Sequence, residues 1–156
     1  MQRVIIVVIS EQRLHHRRRT GVWHHYPVST AERGAGNRRN SLKTPTGKHR
    51  IYARIGDGLP TCTVFVGRQP VSIFNPQADH SDHDWILTRI LWLAGLETGR
   101  NRRGAVDTKS RYIYIHGTHA ENRIGTPCSH GCIRMLNPDI LELFEHVQTG
   151  EKVLIR

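Results

Sequence analysis

The chain is short of cysteine, has no long apolar run, and shows neither an internal repeat nor a low-complexity tract. Its three cysteines, Cys62, Cys128 and Cys132, are an odd number, so the chain is not a disulfide scaffold and at least one thiol stays unpaired unless chains are linked. The apolar run Val4 to Ile9 is far too short to span a membrane. It also lacks the length and cleavage site of a signal peptide, and its Val and Ile content favours a first strand. No transmembrane segment is expected, and the sequence taken as complete reads as cytoplasmic. Its 156 residues match one domain spanning 1–156, with little room for a second.

Two further absences bear on function. His116, His119, Cys128, His130 and Cys132 offer zinc ligands within a short stretch, and His80-Ser81-Asp82-His83-Asp84 looks metal-like too. Yet there is no CxxC pair and no HExxH, and polar His/Asp loops are usually only solvated, so no metal and no other cofactor is expected. Acidic residues are scarce as well: 13 Asp and Glu stand against 23 Lys and Arg, a formal net charge of +10. His15-His16-Arg17-Arg18-Arg19 and Arg100-Asn101-Arg102-Arg103 form basic clusters that attract any polyanion. No element that reads bases accompanies them, so no specific nucleic acid is expected as a partner.

What is present centres on Ser129-His130-Gly131-Cys132-Ile133-Arg134. Upstream, Arg111 to His116 alternates polar or aromatic with β-branched residues, which predicts a strand with Ile113 and Ile115 inward and Tyr112, Tyr114 and His116 on the opposite face. Gly117 ends it. Cys132 follows His116 by sixteen residues, and the intervening loop, with Gly125 and Pro127, has the reach to fold back. Downstream, Asn137 is the expected cap of a helix starting at Pro138, with Gly150 as its stop and Ile140, Leu141, Leu143, Phe144 and Val147 as its apolar stripe. A thiol, an imidazole and the bare amides of Gly131 and Cys132 then supply a nucleophile, a base and oxyanion donors, the parts that cysteine acyl transfer needs.

The remaining chain reads as strands with turn punctuation: 3–9, 12–17, 22–28, 49–55, 61–66, 71–74 and 152–155. Residues 86–93 fit a helix on spacing alone. The expected fold is mostly β, with packed, sandwich-like sheets and one clear helix after Cys132.

The IHGT and SHGCIRM segments, together with Tyr26-Pro27-Val28-Ser29-Thr30, Lys43-Thr44-Pro45-Thr46-Gly47 and the terminal GEKVLI strand, resemble the bacterial L,D-transpeptidase catalytic domain, or YkuD fold, over nearly the whole chain. The resemblance turns 86–93 into a strand of the sheet. It also implies a substrate class, peptidoglycan stem peptides, and a role in cell-wall biogenesis and cell shape. In that reaction Cys132 forms a thioester and a terminal D-amino acid leaves. Transfer to an amine gives a cross-link, and L,D-carboxypeptidase or exchange action on the same stems is the alternative. Carbapenem-type β-lactams are the inhibitors implied, and the cell envelope is the location implied.

Each residue also has a plainer role. Cys132 could be a buried structural thiol, but a Gly before it and a helix after it make the electropositive setting that favours thiolate. His116 is the expected base. His130, adjacent to the nucleophile turn, is the weaker one. Arg134 suits either a substrate carboxylate or a scaffold pairing. Ser129, His130, Gly117 and Tyr114 are expected to line or support the site, although a Ser in a tight loop often bonds only nearby backbone. Cys128 reads as an unreactive neighbour.

Overall fold

The computed structural model describes residues 2–79 and 83–156. Short runs of Val, Ile and alternating residues form ten strands: β1 (Val4–Val8), β2 (Arg13–Arg17), β3 (Trp23–Ser29), β4 (Gly47–Ile55), β5 (Thr63–Val66), β6 (Gln69–Ile73), β7 (Ile86–Gly95), β8 (Tyr114–Gly117), β9 (Ile133–Met135) and β10 (Lys152–Ile155). One α-helix, α1 (Asn137–Glu145), lies between β9 and β10. The strands run in the order β4-β10-β1-β2-β3-β9-β8-β7-β5-β6, and a further β4–β7 pairing closes the first eight into a ring. The mostly β fold expected from the sequence thus takes the form of one sheet curled onto itself.

Strand β7 makes the closure possible. Its first residues, Ile86 and Leu87, pair with β5, while Ile90 to Gly95 pair with β4. It is covered on both faces, and nearly every residue from Leu87 to Gly95 is buried. Burial on both faces erases the polar alternation of a half-exposed strand, which is why residues 86–93 resemble a helix in sequence. Leu91 and Leu93 face a core that includes Ile5, Val7, Leu14, Val28, Ile115 and Ile133. The helix adds Ile140, Leu143 and Phe144 to that core.

Four local details differ from the sequence expectation. Tyr112 has a left-handed backbone (φ 56°), so the strand begins at Tyr114 and residues 111–112 form a turn. Between Cys132 and the helix lies a strand not expected from the sequence, β9, in which Ile133–Met135 pairs with β3 and β8 before the chain turns into α1. Asn137 does not cap that helix. It is the first helical residue, and its side chain instead accepts from Thr88 Oγ1 and donates to Thr118 O. The helix ends at Glu145, ahead of Gly150, which turns the chain back toward β4 through a bond from its N–H to Ile51 O.

Candidate active site

The site lies on the outer face of β8 and β9. These strands run parallel with Ile115 opposite Ile133 and His116 opposite Arg134. The isoleucines enter the core, so the period-two alternation sends His116, Tyr114 and Arg134 to the other face. Cys132, one residue ahead of β9, joins them: Tyr114 N–H donates to its Sγ at 3.4 Å. Beside this face the β5–β6 hairpin lays Phe65 against Ile90 and Tyr114, with Trp92 and Cys132 packed alongside. Arg68 at the hairpin tip donates to Tyr114 Oη at 3.0 Å.

The turn that carries the thiol is held from three directions. Ser129 Oγ donates to Cys132 O at 2.6 Å and accepts from Gly131 N–H at 3.1 Å. Thr44 Oγ1 donates to Gly131 O at 2.9 Å, which gives the Lys43-Thr44-Pro45 segment a definite task. Gly131 sits at φ 131°, and a Cβ there would press within 3.2 Å of Lys43 O and Ile113 Cδ1. Only glycine meets both demands without strain. The engagement of the Gly131 amide by Ser129 limits its use as an oxyanion donor to a state in which Ser129 releases it.

His116 is fully buried. Its Nδ1 lies 2.6 Å from Gly117 O, and a carbonyl only accepts, so Nδ1 carries the proton and Nε2 is left with its lone pair. That Nε2 is buried with no hydrogen-bond partner among the described residues. Gly117 is packed so closely that a Cβ would strike Asn137 Oδ1 and come within 2.8 Å of Leu87 O. The thiol does not bond to His116 at rest; its proton is directed at Tyr112 O, 3.5 Å away.

Burial pushes the Cys132 thiol up to about 12, although Tyr114 N–H, Arg134 and Arg111 all favour the anion. Burial likewise holds His116 below its usual 6.5, against the opposing influence of Asp84 and the Gly117 carbonyl. The resting pair is therefore a neutral thiol and a neutral imidazole. This corrects the expectation of a thiolate-favouring setting: β9 separates Cys132 from the helix, and Arg134 already carries an acid. Arg134 Nη2 bonds Asp84 Oδ1 at 2.7 Å, and its Nη1 lies 3.7 Å from Cys128 Sγ.

Two clefts meet at His130 in the nucleophile turn. One, of about 470 Å³, is lined by Asp84, His119, Arg123, Cys128 and Arg134. The other, of about 310 Å³, is lined by Arg39, Leu42, Arg111 and Tyr112, and exposed His130 stands in the wall of both. The structure thus brings Cys132, His116, Tyr114, Gly117, Ser129 and Arg134 together, with His130 on the rim and 3.9 Å from Asp84 Oδ2. Sequence reasoning missed Arg111, Thr44 and Asp84. Asp84 stood in the metal-like cluster, of which His80, Ser81 and Asp82 lie outside the described residues. Among the described residues no three His, Cys, Asp or Glu side chains gather as metal ligands.

The closed β-sheet thus carries an orientated histidine on β8 and a cysteine one residue ahead of the adjacent parallel strand β9. The L,D-transpeptidase catalytic domain matches residues 2–155, and the chain belongs to that family. It is 43% identical over 51 residues to the putative L,D-transpeptidase YqjB of Bacillus subtilis, a match covering 33% of the chain and 29% of the relative. Over 45 residues it is 51% identical to the probable L,D-transpeptidase ErfK/SrfK of Salmonella typhimurium, covering 29% of the chain and 15% of the relative. Among solved structures it resembles L,D-transpeptidase 3 of Mycobacterium tuberculosis in complex with a faropenem-derived adduct, at 15% identity and TM-score 0.61, over 99% of this chain and 60% of that one. A similar likeness, 18% identity and TM-score 0.59, holds to L,D-transpeptidase LdtMt1 in complex with imipenem, over 99% of this chain and 58% of that one. The chain spans about three-fifths of these solved chains.

Proposed function

We propose that the protein is an L,D-transpeptidase acting on peptidoglycan stem peptides, with Cys132 as nucleophile and His116 as general base. The observation that carries this reading is the buried Nε2 of His116, fixed as a lone-pair acceptor by Gly117 O on the face that also holds the thiol. Substrate entry breaks the contact of the thiol with Tyr112 O. The sulfur proton then passes to Nε2 as Sγ attacks the carbonyl preceding a terminal D-amino acid. The oxyanion is held by the Cys132 amide, and by that of Gly131 once Ser129 lets it go. Collapse of the adduct breaks the peptide bond, the His116 proton leaves with the amine, and a thioester remains. A second stem's amine takes the acyl group to form a cross-link and restores the thiol; water in its place gives the carboxypeptidase product.

Both resting groups being neutral favours this route, because the proton moves only as the bond forms and no ion pair has to be maintained in a buried site. Arg134, steadied by Asp84, presents its guanidinium to the larger cleft, where stem carboxylates would lie. Tyr114 and Gly117 hold the sulfur and the base, Ser129 shapes the turn and His130 borders the entrance. The complexes of the two solved relatives with imipenem and with a faropenem-derived adduct support β-lactams as acylating inhibitors here as well. The cell envelope, where such stems are cross-linked, is the proposed place of action. The test is Cys132→Ala with a tetrapeptide stem: release of the terminal D-amino acid, followed by mass spectrometry, should vanish while the thermal midpoint holds. Undiminished release would refute the assignment.

A further inference from the structure

Arg111 is a half-buried cation that the reaction above does not use. Its Nη2 donates to Lys43 O at 2.6 Å and to Ser41 Oγ at 3.4 Å, and Nη1 reaches Gly36 O at 3.4 Å. All three acceptors are neutral, and no carboxylate among the described residues lies within ion-pairing distance of it. Arg134, the other guanidinium near the thiol, is by contrast already neutralised by Asp84. Arg111 also sits directly behind the nucleophile turn: a Cβ built on Gly131 would stand 3.8 Å from its Nη2. Partial burial works against its charge, and the one favourable ionic influence upon it is the sulfur of Cys132. A guanidinium taken partly out of water with no anion beside it is costly, and the cost falls when negative charge appears nearby.

We propose that Arg111 is the positioning residue for negative charge at Cys132, its guanidinium locked on the 36–43 loop so that thiolate and oxyanion form in an uncompensated positive field. The proposal rests on the reading of Cys132 as nucleophile. The groups that act on the sulfur are Tyr114 N–H, the Tyr112 carbonyl and the Arg134–Asp84 pair, whose charges offset each other, with His116 on the same face of β8 as Tyr114. Arg111 is the net positive contribution. Its three bonds to a loop that also supplies Thr44 to the turn keep the guanidinium from swinging out to solvent, so the field stays fixed while charge moves.

The experiment is alkylation of Cys132 without substrate, comparing neutral iodoacetamide with anionic iodoacetate at about pH 8. Arg111→Gln should slow iodoacetamide about tenfold, one unit in thiol ionisation, and slow iodoacetate further, because the anionic reagent itself senses the lost charge. Arg111→Lys, which keeps the charge, should hold both rates within about twofold of the parent. A merely structural role would change both reagents alike and leave their ratio unmoved. An unchanged ratio in Arg111→Gln, or an Arg111→Lys as slow as Arg111→Gln, overturns the proposal. If Arg111→Gln does not fold, Arg111→Met, which keeps an aliphatic stem beside Gly131, carries the same comparison. Labelling needs no turnover, so failure here is separate from failure of the nucleophile assignment, which the Cys132→Ala assay reads.

Discussion

Replacing Asn137 by Ala tests how the base is held. The Asn137 side chain is buried, accepts from the Thr88 hydroxyl and donates to Thr118 O at 2.8 Å. Ala leaves that hydroxyl proton and that carbonyl without partners. At roughly 1–3 kcal/mol for each buried orphan, the variant should lose about 2–6 kcal/mol, a large share of the ~5–15 kcal/mol typical of a folded domain. Thr88 adds to the sensitivity of the site, since a buried β-branched residue at φ 77° is held there only by its surroundings. Urea denaturation with an unchanged slope is the assay. Turnover, corrected for the folded fraction, should fall too, because Gly117, whose carbonyl orients His116, packs against Asn137 Oδ1. A loss below about 1 kcal/mol at constant slope would refute the view that this amide is the hub.

Other outcomes follow from the same geometry. His116→Ala should slow both turnover and general-base-assisted labelling of Cys132, whereas His130→Ala, at the exposed rim, should chiefly weaken substrate handling; the reverse pattern in pH-dependent iodoacetamide labelling would reassign the base. A carbapenem should add once, on Cys132, by intact-mass and peptide analysis, and an adduct on Cys62 would count against the site. His49, buried and bonded to Gly47 O and Thr108 Oγ1, is held down to about 4 by burial, so it stays neutral when folded and takes up a proton more readily when unfolded. Its contribution is complete above the unfolded value near 6.5 and is lost as pH falls through 4, about 3 kcal/mol in all. Urea melts at the two ends of that interval should show the loss, and His49→Asn should flatten it.

The parts of the fold visible in sequence were those with a local cause. Ile113 and Ile115 announce a buried face, and the helical stripe of Ile140, Leu143 and Phe144 announces the helix. Strand β9 escaped because three residues carry no period, and its pairing with Ser29 and His116 is decided by distant partners. The same holds for Asn137, whose type and place before the helical stripe suited a cap while its true partners lie 49 and 19 residues away. At the site, Cys132 and His116 stood out by chemistry and spacing. The thiol's resting state did not, because it depends on how deeply Phe65, Tyr114 and Trp92 bury the sulfur, which no single segment specifies. Arg111 was indistinguishable from any other basic residue until the loop it grips was in place.

Closure of the sheet has a consequence for the order of assembly. Strand β10 is wedged between β1, with Val4 opposite Lys152, and β4, with Gly47 opposite Ile155. Residues 4–8 therefore wait for residues 152–155 before their outer edge is paired, the longest sequence separation in the sheet. The β1–β2–β3 meander can form from contacts near in sequence, but the ring stays open, with one bare edge on β1 and one on β4, until residues 152–155 insert between them. Insertion of β10 thus closes the ring and covers both of those edges at once, and folding intermediates that have not yet placed it are the ones exposed to edge-to-edge pairing.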